Sequence, residues 1–395
     1  MATNKEQNKL NVPHLRFPEF HGEWEKCKLG DIATLTKGSG ISKDQRSATG
    51  TPCILYGELY TTYKSEVINY VVSKTDISDK NLVRSCANDI IIPSSGETAI
   101  DISTARCVLS PDVLLGGDLN IIRLKDGDGR FFSYQLNGVR KHDIAKIAQG
   151  VSVVHLYGES IKGLTVSFPS NKEQQKISTL LSLIDERIAT QSKLIEDLKK
   201  LKSAIIEKLY SEIQGKEYSY RQLFEIINER NNRLEFSNVL SASQERGMVS
   251  REDLNLDIKF ERSNINTYKI VRSGDYVIHL RSFQGGFAFS DIVGVCSPAY
   301  TIMRPKDLLE YGYLSYYFTS RQFIKSLVIV TYGIRDGRSI NVDEWFDMKI
   351  VIPTKEQQRY TVRTIKVFEN KIENEEIYAS CLLKQKQHLL RQMFI

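Results

Sequence analysis

An internal repeat constrains this chain more than any other feature of its 395 residues, because a repeat means one scaffold built twice. Pro169-Ser170-Asn171-Lys172-Glu173-Gln174-Gln175 recurs as Pro353-Thr354-Lys355-Glu356-Gln357-Gln358, with Lys-Glu-Gln-Gln repeated outright about 183 positions later. Each copy opens a long, charged, proline-free stretch that favours helix. The proline sits just ahead of it, Ser170 or Thr354 can cap it, and a glutamate follows three residues after Ser170. Upstream, Leu156, Ile161, Leu164, Val166 and Phe168 fall opposite Ile340, Trp345, Met348, Ile350 and Ile352 at an offset of about 184. Phe131 to Tyr134 matches Tyr313 to Tyr316, Leu119 to Arg123 matches Tyr300 to Arg304, and Asn88 to Ile92 resembles Gly274 to Ile278. The order is globule, helix, globule, helix.

The helical stretches carry a heptad signal. Ile177, Leu181, Ile184, Ile188, Ile195, Leu198, Ile205 and Leu209 alternate in steps of four and three across the slots of Gln191 and Lys202. The second copy repeats the seam with Ile365, Phe368, Ile372, Leu382, Leu389 and Met393, and Glu375 and Lys386 occupy the matching polar slots. Coincident polar breaks favour two helices packed on each other. Connectivity makes the pair antiparallel, because the first helix runs from globule one to globule two and the second leaves globule two. About 38 residues at ~1.5 Å each give a rod of roughly 57 Å. With the ends aligned, Lys386 faces Ile184 and Lys202 faces Phe368. Lys386 is then expected to reach Asp185 and Lys202 to reach Glu369, as partly exposed pairs that fix register.

Short β-branched and aromatic runs such as Val67 to Val72 and Tyr276 to Leu280, broken by Gly, Pro, Ser and Asp, make each globule mixed α and β. The expected fold class is therefore α/β (α+β): two similar globules separated by two long helices forming an antiparallel coiled coil, with an internal pseudo-twofold repeat. The segments read as 1–169, 170–214, 215–353 and 354–395.

Composition narrows the function. Six dispersed cysteines without a CxxC pair argue against a disulfide framework or a zinc knuckle, and no metal site is expected. Neither a signal peptide nor an apolar run of membrane-spanning length is present, so a cytoplasmic protein without membrane association is expected. No GxxxxGK[ST], GxGxxG after a strand, HExxH or GxSxG motif occurs, so no catalytic residue is assigned. The net charge of +6 permits nucleic-acid binding without establishing it.

Two copies of a globule held apart suit a long, stiff and nearly twofold target, and duplex DNA is one. Base edges are read by Arg, Lys, Gln, Asn and Ser. In the first globule the candidates are Lys37, Ser39, Lys43, Gln45 and Arg46 in a glycine-rich loop, Ser94 and Ser95, and Gln149, Ser152 and His155. In the second they are Ser243, Gln244 and Arg246, then Arg281, Ser282 and Gln284, then Tyr332, Arg335 and Arg338. A structural adaptor with two protein-binding globules on a coiled-coil spacer is the alternative.

Val12-Pro13-His14-Leu15-Arg16-Phe17-Pro18-Glu19-Phe20, with Gly22-Glu23-Trp24 and Lys28-Leu29-Gly30-Asp31-Ile32 after it, resembles the opening of the specificity subunits of type I restriction–modification systems. Ser297-Pro298-Ala299-Tyr300, the Gly333 to Ile340 loop and both Pro-x-x-Glu-Gln-Gln helix starts resemble that family as well. The first half departs from it, with Gly116-Gly117-Asp118-Leu119 where the second has Ser-Pro-Ala-Tyr. The resemblance implies a non-catalytic DNA-recognition subunit whose two target-recognition domains each read half of a bipartite site, with the helices setting the unread spacer. It also implies docking of modification subunits, two of them, and through these of restriction subunits. S-adenosylmethionine, ATP and magnesium would belong to those partners and no cofactor to this chain.

Overall fold

The isoleucine run inside Asp89–Pro93 is buried along its whole length, as a strand covered on both faces requires. It lies at the centre of a five-stranded sheet ordered Ala33–Lys37, Leu119–Leu124, Asp89–Pro93, Arg106–Val108 and Val67–Ile68, antiparallel except for the last pair. A three-stranded sheet of Lys74–Thr75, Thr51–Ile54 and Leu114–Leu115 joins it. Glu25–Lys28 pairs with Thr165–Phe168, which leads into the first long helix, Asn171–Ser211. The computed structural model describes residues 11–78, 81–243, 246–254, 262–279, 286–332 and 339–395.

By contacts the chain divides into two units, one built from the residues up to Ser192 together with Ile377–Ile395, the other from Lys193–Glu376. The second unit repeats the first unit's framework. Phe224–Ile227, Thr301–Pro305 and Tyr276–Ile278 take the places of Ala33–Lys37, Leu119–Leu124 and Asp89–Pro93, and Phe287–Phe289 completes a four-stranded antiparallel sheet. Lys216–Ser219 pairs with Lys349–Ile352, which leads into the second long helix, Lys355–Gln392. The mixed α/β class and the two similar domains are therefore present.

The matched sequence segments are matched because they clasp each other. Asp89 accepts from Arg123 Nε and Nη2 at 2.8 and 2.7 Å, and Asp275 accepts from Arg304 Nε and Nη2 at 2.9 and 3.0 Å. Both carboxylates are buried, and each also accepts a backbone N–H three residues back, from Cys86 and from Arg272. The repeated glutamines form a second clasp. Gln174 donates to Pro169 O and accepts from Asp128 N, while Gln358 donates to Pro353 O and accepts from Glu310 N. The equivalence is thus Gln174 with Gln358, at an offset of 184, one residue out of step with the identical Lys-Glu-Gln-Gln strings. Capping differs as well. Thr354 and Gln357 form a reciprocal box, whereas Glu173 is taken by Arg16, whose Nε and Nη2 each lie 2.8 Å from it.

The long helices run antiparallel within each unit. In the second unit Lys199 pairs with Glu376 at 2.7 Å and Lys202 with Glu369 at 3.3 Å; in the first, Lys386 reaches Asp185 at 2.5 Å. Both register pairs form as the heptad arithmetic requires. One differs in setting: the Lys386 side chain is only 12% exposed and is shared with Glu66, so this pair is buried rather than partly exposed. A tyrosine completes each cluster, Tyr134 Oη donating to Asp185 at 2.8 Å and Tyr316 Oη to Glu369 at 2.7 Å. Burial, then the adjacent carboxylate, pushes both phenols well above their usual range, so each remains a donor.

Every seam residue is buried or half-buried. Near the end of the first helix the buried face turns by one position, and Ile206 and Tyr210 lie deeper than Ile205 and Leu209. There the helix packs on the second unit's core with Tyr220, Leu223 and Trp345 as well as on Ile365 of the second helix. The first unit's core gathers Trp24, Phe131, Ile177 and Leu181 around Met393 and Phe394. Among the described residues no helix is long and apolar enough to cross a membrane.

Candidate nucleic-acid interface

Several candidate loops of the first unit meet at one end of its sheet. Lys37 ends its strand opposite Asn120, whose side-chain amide donates to Leu156 O at 2.9 Å. That bond ties the sheet to the segment carrying His155. Ser95–Gly96 pairs with Val154–His155, so Ser95 stands opposite His155, which occupies a short strand rather than a loop. Gln149 and His155 exchange backbone hydrogen bonds of 2.9 and 2.7 Å and close a hairpin with Ser152 exposed near its tip. Ser94 is buried; its N–H donates to Asp118 O at 2.7 Å and its hydroxyl lies 3.4 Å from Asp118 Oδ1. Lys37, Ser95, Ser152 and His155 therefore present polar groups on one rim beside Asp118.

The glycine-rich loop has a different internal logic from the one its sequence suggests. A Cβ on Gly38 would lie 2.0 Å from Gly116 O, so this glycine lets the segments just after two strands of the unit approach each other, rather than a groove. Ser39 Oγ accepts from Val83 N at 2.7 Å. Lys43 and Gln45 belong to a single 3-10 turn, Lys43–Gln45, in which Gln45 Oε1 accepts from Ser42 N at 2.8 Å. Arg46 lies 3.6 Å from the buried Glu58, and Thr75 donates to Gln45 O, which places this segment beside the three-stranded sheet. Lys43, Gln45 and Arg46 are all exposed, and Gln45 and Arg46 are also partly engaged by their own unit.

In the second unit Leu240–Ser243 and Gly247–Ser250 form a hairpin in which Ser243 Oγ accepts from Arg246 N at 3.3 Å and Arg246 is exposed. Thr331–Tyr332 pairs with Ser339–Ile340, a hairpin at the place corresponding to Gln149–His155. Gln244, Arg281, Ser282, Gln284, Arg335 and Arg338 lie outside the described residues.

Three of the cysteines, Cys53, Cys107 and Cys296, are buried, whereas Cys86 and Cys381 are exposed. Burial pushes the Cys53 thiol up to about 11 and that of Cys296 to about 12, and Cys107 also rises by burial. His279 is lowered by burial, with its ring 6.1 Å from that of Tyr300. Among the described residues no group of three His, Cys, Asp or Glu is placed to hold a metal ion. The arrangement can present hydrogen-bonding loops on rigid strands. Val151 and Val153 in the same loop are 97% and 53% exposed and carry no hydrogen-bonding side chain.

Residues 21–200 match the family model for the type I restriction modification DNA specificity domain. The type I restriction enzyme MjaVIII specificity subunit of Methanocaldococcus jannaschii is 23% identical, over 94% of this chain and 92% of its own. The putative MjaX specificity subunit of the same organism is also 23% identical, over 93% and 91%. The crystal structure of a type I restriction–modification S subunit from M. genitalium superposes with a TM-score of 0.59 at 16% identity, over 97% of this chain and 99% of its own. A structure from work on complex assembly and conformational transition of the type I system also gives 0.59, at 14% identity over 94% and 97%. At these identities the structural likeness concerns the fold. The family that the sequence resembles and the family matched by residues 21–200 are the same.

Proposed function

Residues 21–200 being a type I restriction modification DNA specificity domain, we propose that the chain is the non-catalytic specificity subunit of a type I restriction–modification complex. It reads a bipartite duplex site, one unit to each half, with the paired helices setting the unread spacer. The observation that carries this reading is the duplicated framework: the Asp89–Arg123 and Asp275–Arg304 clasps hold the same strands in each unit, while the loops between those strands differ. A rigid frame with exchangeable loops suits base readout, in which phosphate contacts position and a few side chains specify. The partners are double-stranded DNA, two modification subunits that bring S-adenosylmethionine, and restriction subunits that bring ATP and magnesium. The assembly works in the cytoplasm.

The test is to map the methylated motif made by the reconstituted complex. Lys37→Ala with His155→Ala in the first unit should alter one half of the motif, and Arg335→Ala with Arg338→Ala the other. A lost base contact costs ~1–3 kcal/mol at one position, whereas a lost phosphate contact weakens all sites alike. Variants that change neither half, or both halves together, would overturn the assignment.

A further inference from the structure

From the hairpin Gln149–His155 we infer that Val151 reads the 5-methyl group of a thymine in the half-site bound by the first unit. The inference rests on the DNA-reading function proposed above and assigns it a specific contact. A single exposed valine is ordinary on a protein surface. This one lies in the loop that the single Gln149–His155 bridge closes, and is 97% exposed. The loop is anchored at its base. Gln149 and His155 exchange backbone hydrogen bonds, Val154–His155 pairs with Ser95–Gly96, and Gly150 takes φ +123° where a Cβ would lie 2.1 Å from Val153 O.

The base of the loop is therefore held before any partner arrives, and a β-branched side chain has little χ1 freedom to lose when its methyls are covered. The neighbours of Val151 along the chain and across the pairing, Ser95, Ser152 and His155, are polar, with Val153 and Tyr157 exposed beside them. Thymine is the base that offers a methyl group among hydrogen-bonding edges. In sequence, Tyr332-Gly333-Ile334 stands where the first half has Gln149-Gly150-Val151, again a glycine followed by a β-branched aliphatic residue; Gly333 and Ile334 lie outside the described residues.

The experiment uses the full chain in complex with its modification subunits and duplexes carrying the mapped motif. Each thymine of the first half-site is replaced in turn by deoxyuridine, which lacks only the methyl. One replacement should weaken wild-type binding about fourfold, the value of one buried methyl-sized group. Val151→Ser should bind the thymine and deoxyuridine duplexes equally well while still discriminating at the other half-site. The valine is solvent-facing, so the variant keeps its fold, and retained discrimination at the second half reports this directly. A half-site without thymine, no single-position response to deoxyuridine, or a response that persists in Val151→Ser overturns the inference while leaving DNA reading intact. A complex that shows no sequence-specific binding to any duplex removes the proposed function and this inference with it.

Discussion

Replacing Lys386 by methionine should destabilise the first unit far more than Lys202→Met destabilises the second, although the two lysines occupy matching seam slots. Lys386 Nζ lies between Asp185, at 2.5 Å, and Glu66, and all three side chains are at most 12% exposed. Asp185 also accepts from Tyr134 Oη and from Ser65 Oγ at 2.9 Å, so it stays held in place when the ammonium is removed. Two buried carboxylates would then face each other without a cation, a loss of ~3–5 kcal/mol. Glu369 is 38% exposed and keeps its bond from Tyr316, so losing Lys202 should cost about 1 kcal/mol or less. The chain has two tryptophans, Trp24 in the first unit and Trp345 in the second, both buried. Urea unfolding followed by fluorescence in a Trp345→Phe background therefore reports the first unit, and a Trp24→Phe background reports the second. Combining Lys386→Met with Asp185→Asn and Glu66→Gln removes charge on both sides and should return much of the loss. Equal shifts for the two lysine variants, or no recovery in the combined variant, would refute the reasoning.

The framework clasp should be asymmetric. Arg304→Met strands the buried Asp275 and should cost ~3–5 kcal/mol, whereas Asp275→Asn leaves an arginine that can reach water and should cost ~1–3 kcal/mol, both by urea denaturation. Arg16→Met exposes the same weakness at Glu173, which is buried, and should be largely rescued by adding Glu173→Gln, the residue type found at the corresponding position 357. Burial lowers the folded-state pKa of His279, so the unfolded chain binds a proton that the folded chain does not. Its contribution should be fully present above pH ~6.5 and be lost as pH falls from there through the lower folded value. Stability curves of wild type and His279→Gln measured across that window should diverge only below about pH 6.5.

Features set by spacing along the chain were legible. Heptad positions, helix direction and the partners of Lys202 and Lys386 follow from a repeat that needs no tertiary information. The burial of Lys386 did not follow, because Glu66 and Tyr134 reach it from distant segments whose folding the heptads do not describe. String identity is misleading by one residue at Lys-Glu-Gln-Gln, since matching the strings leaves Asn171 without a counterpart, whereas the clasps pair it with Lys355 and keep the distance from proline to glutamine. At the loops, residue type alone could not separate readers from scaffolding. Gly38 serves a close approach of strands and Arg46 turns to Glu58, while Ser95 and His155 come together through a pairing with no local sequence signal. The exposure of Val151 and Val153 carries no sequence signal either, since valine is by type most often a buried residue.

The seating of Met393 and Phe394 beside Trp24 and Phe131 bears on the order in which the chain is made. Every residue of the second unit leaves the ribosome before Ile377, so that unit can close while the first still lacks part of its core. Domains generally fold in order from the N-terminus during synthesis, and here the order of completion is reversed. At ~5–20 residues per second the first unit waits roughly 10–40 s with an aromatic face uncovered. During that interval the nascent chain exposes a surface suited to chaperones. A lesion near residue 393 would then act on the half of the molecule that was translated first.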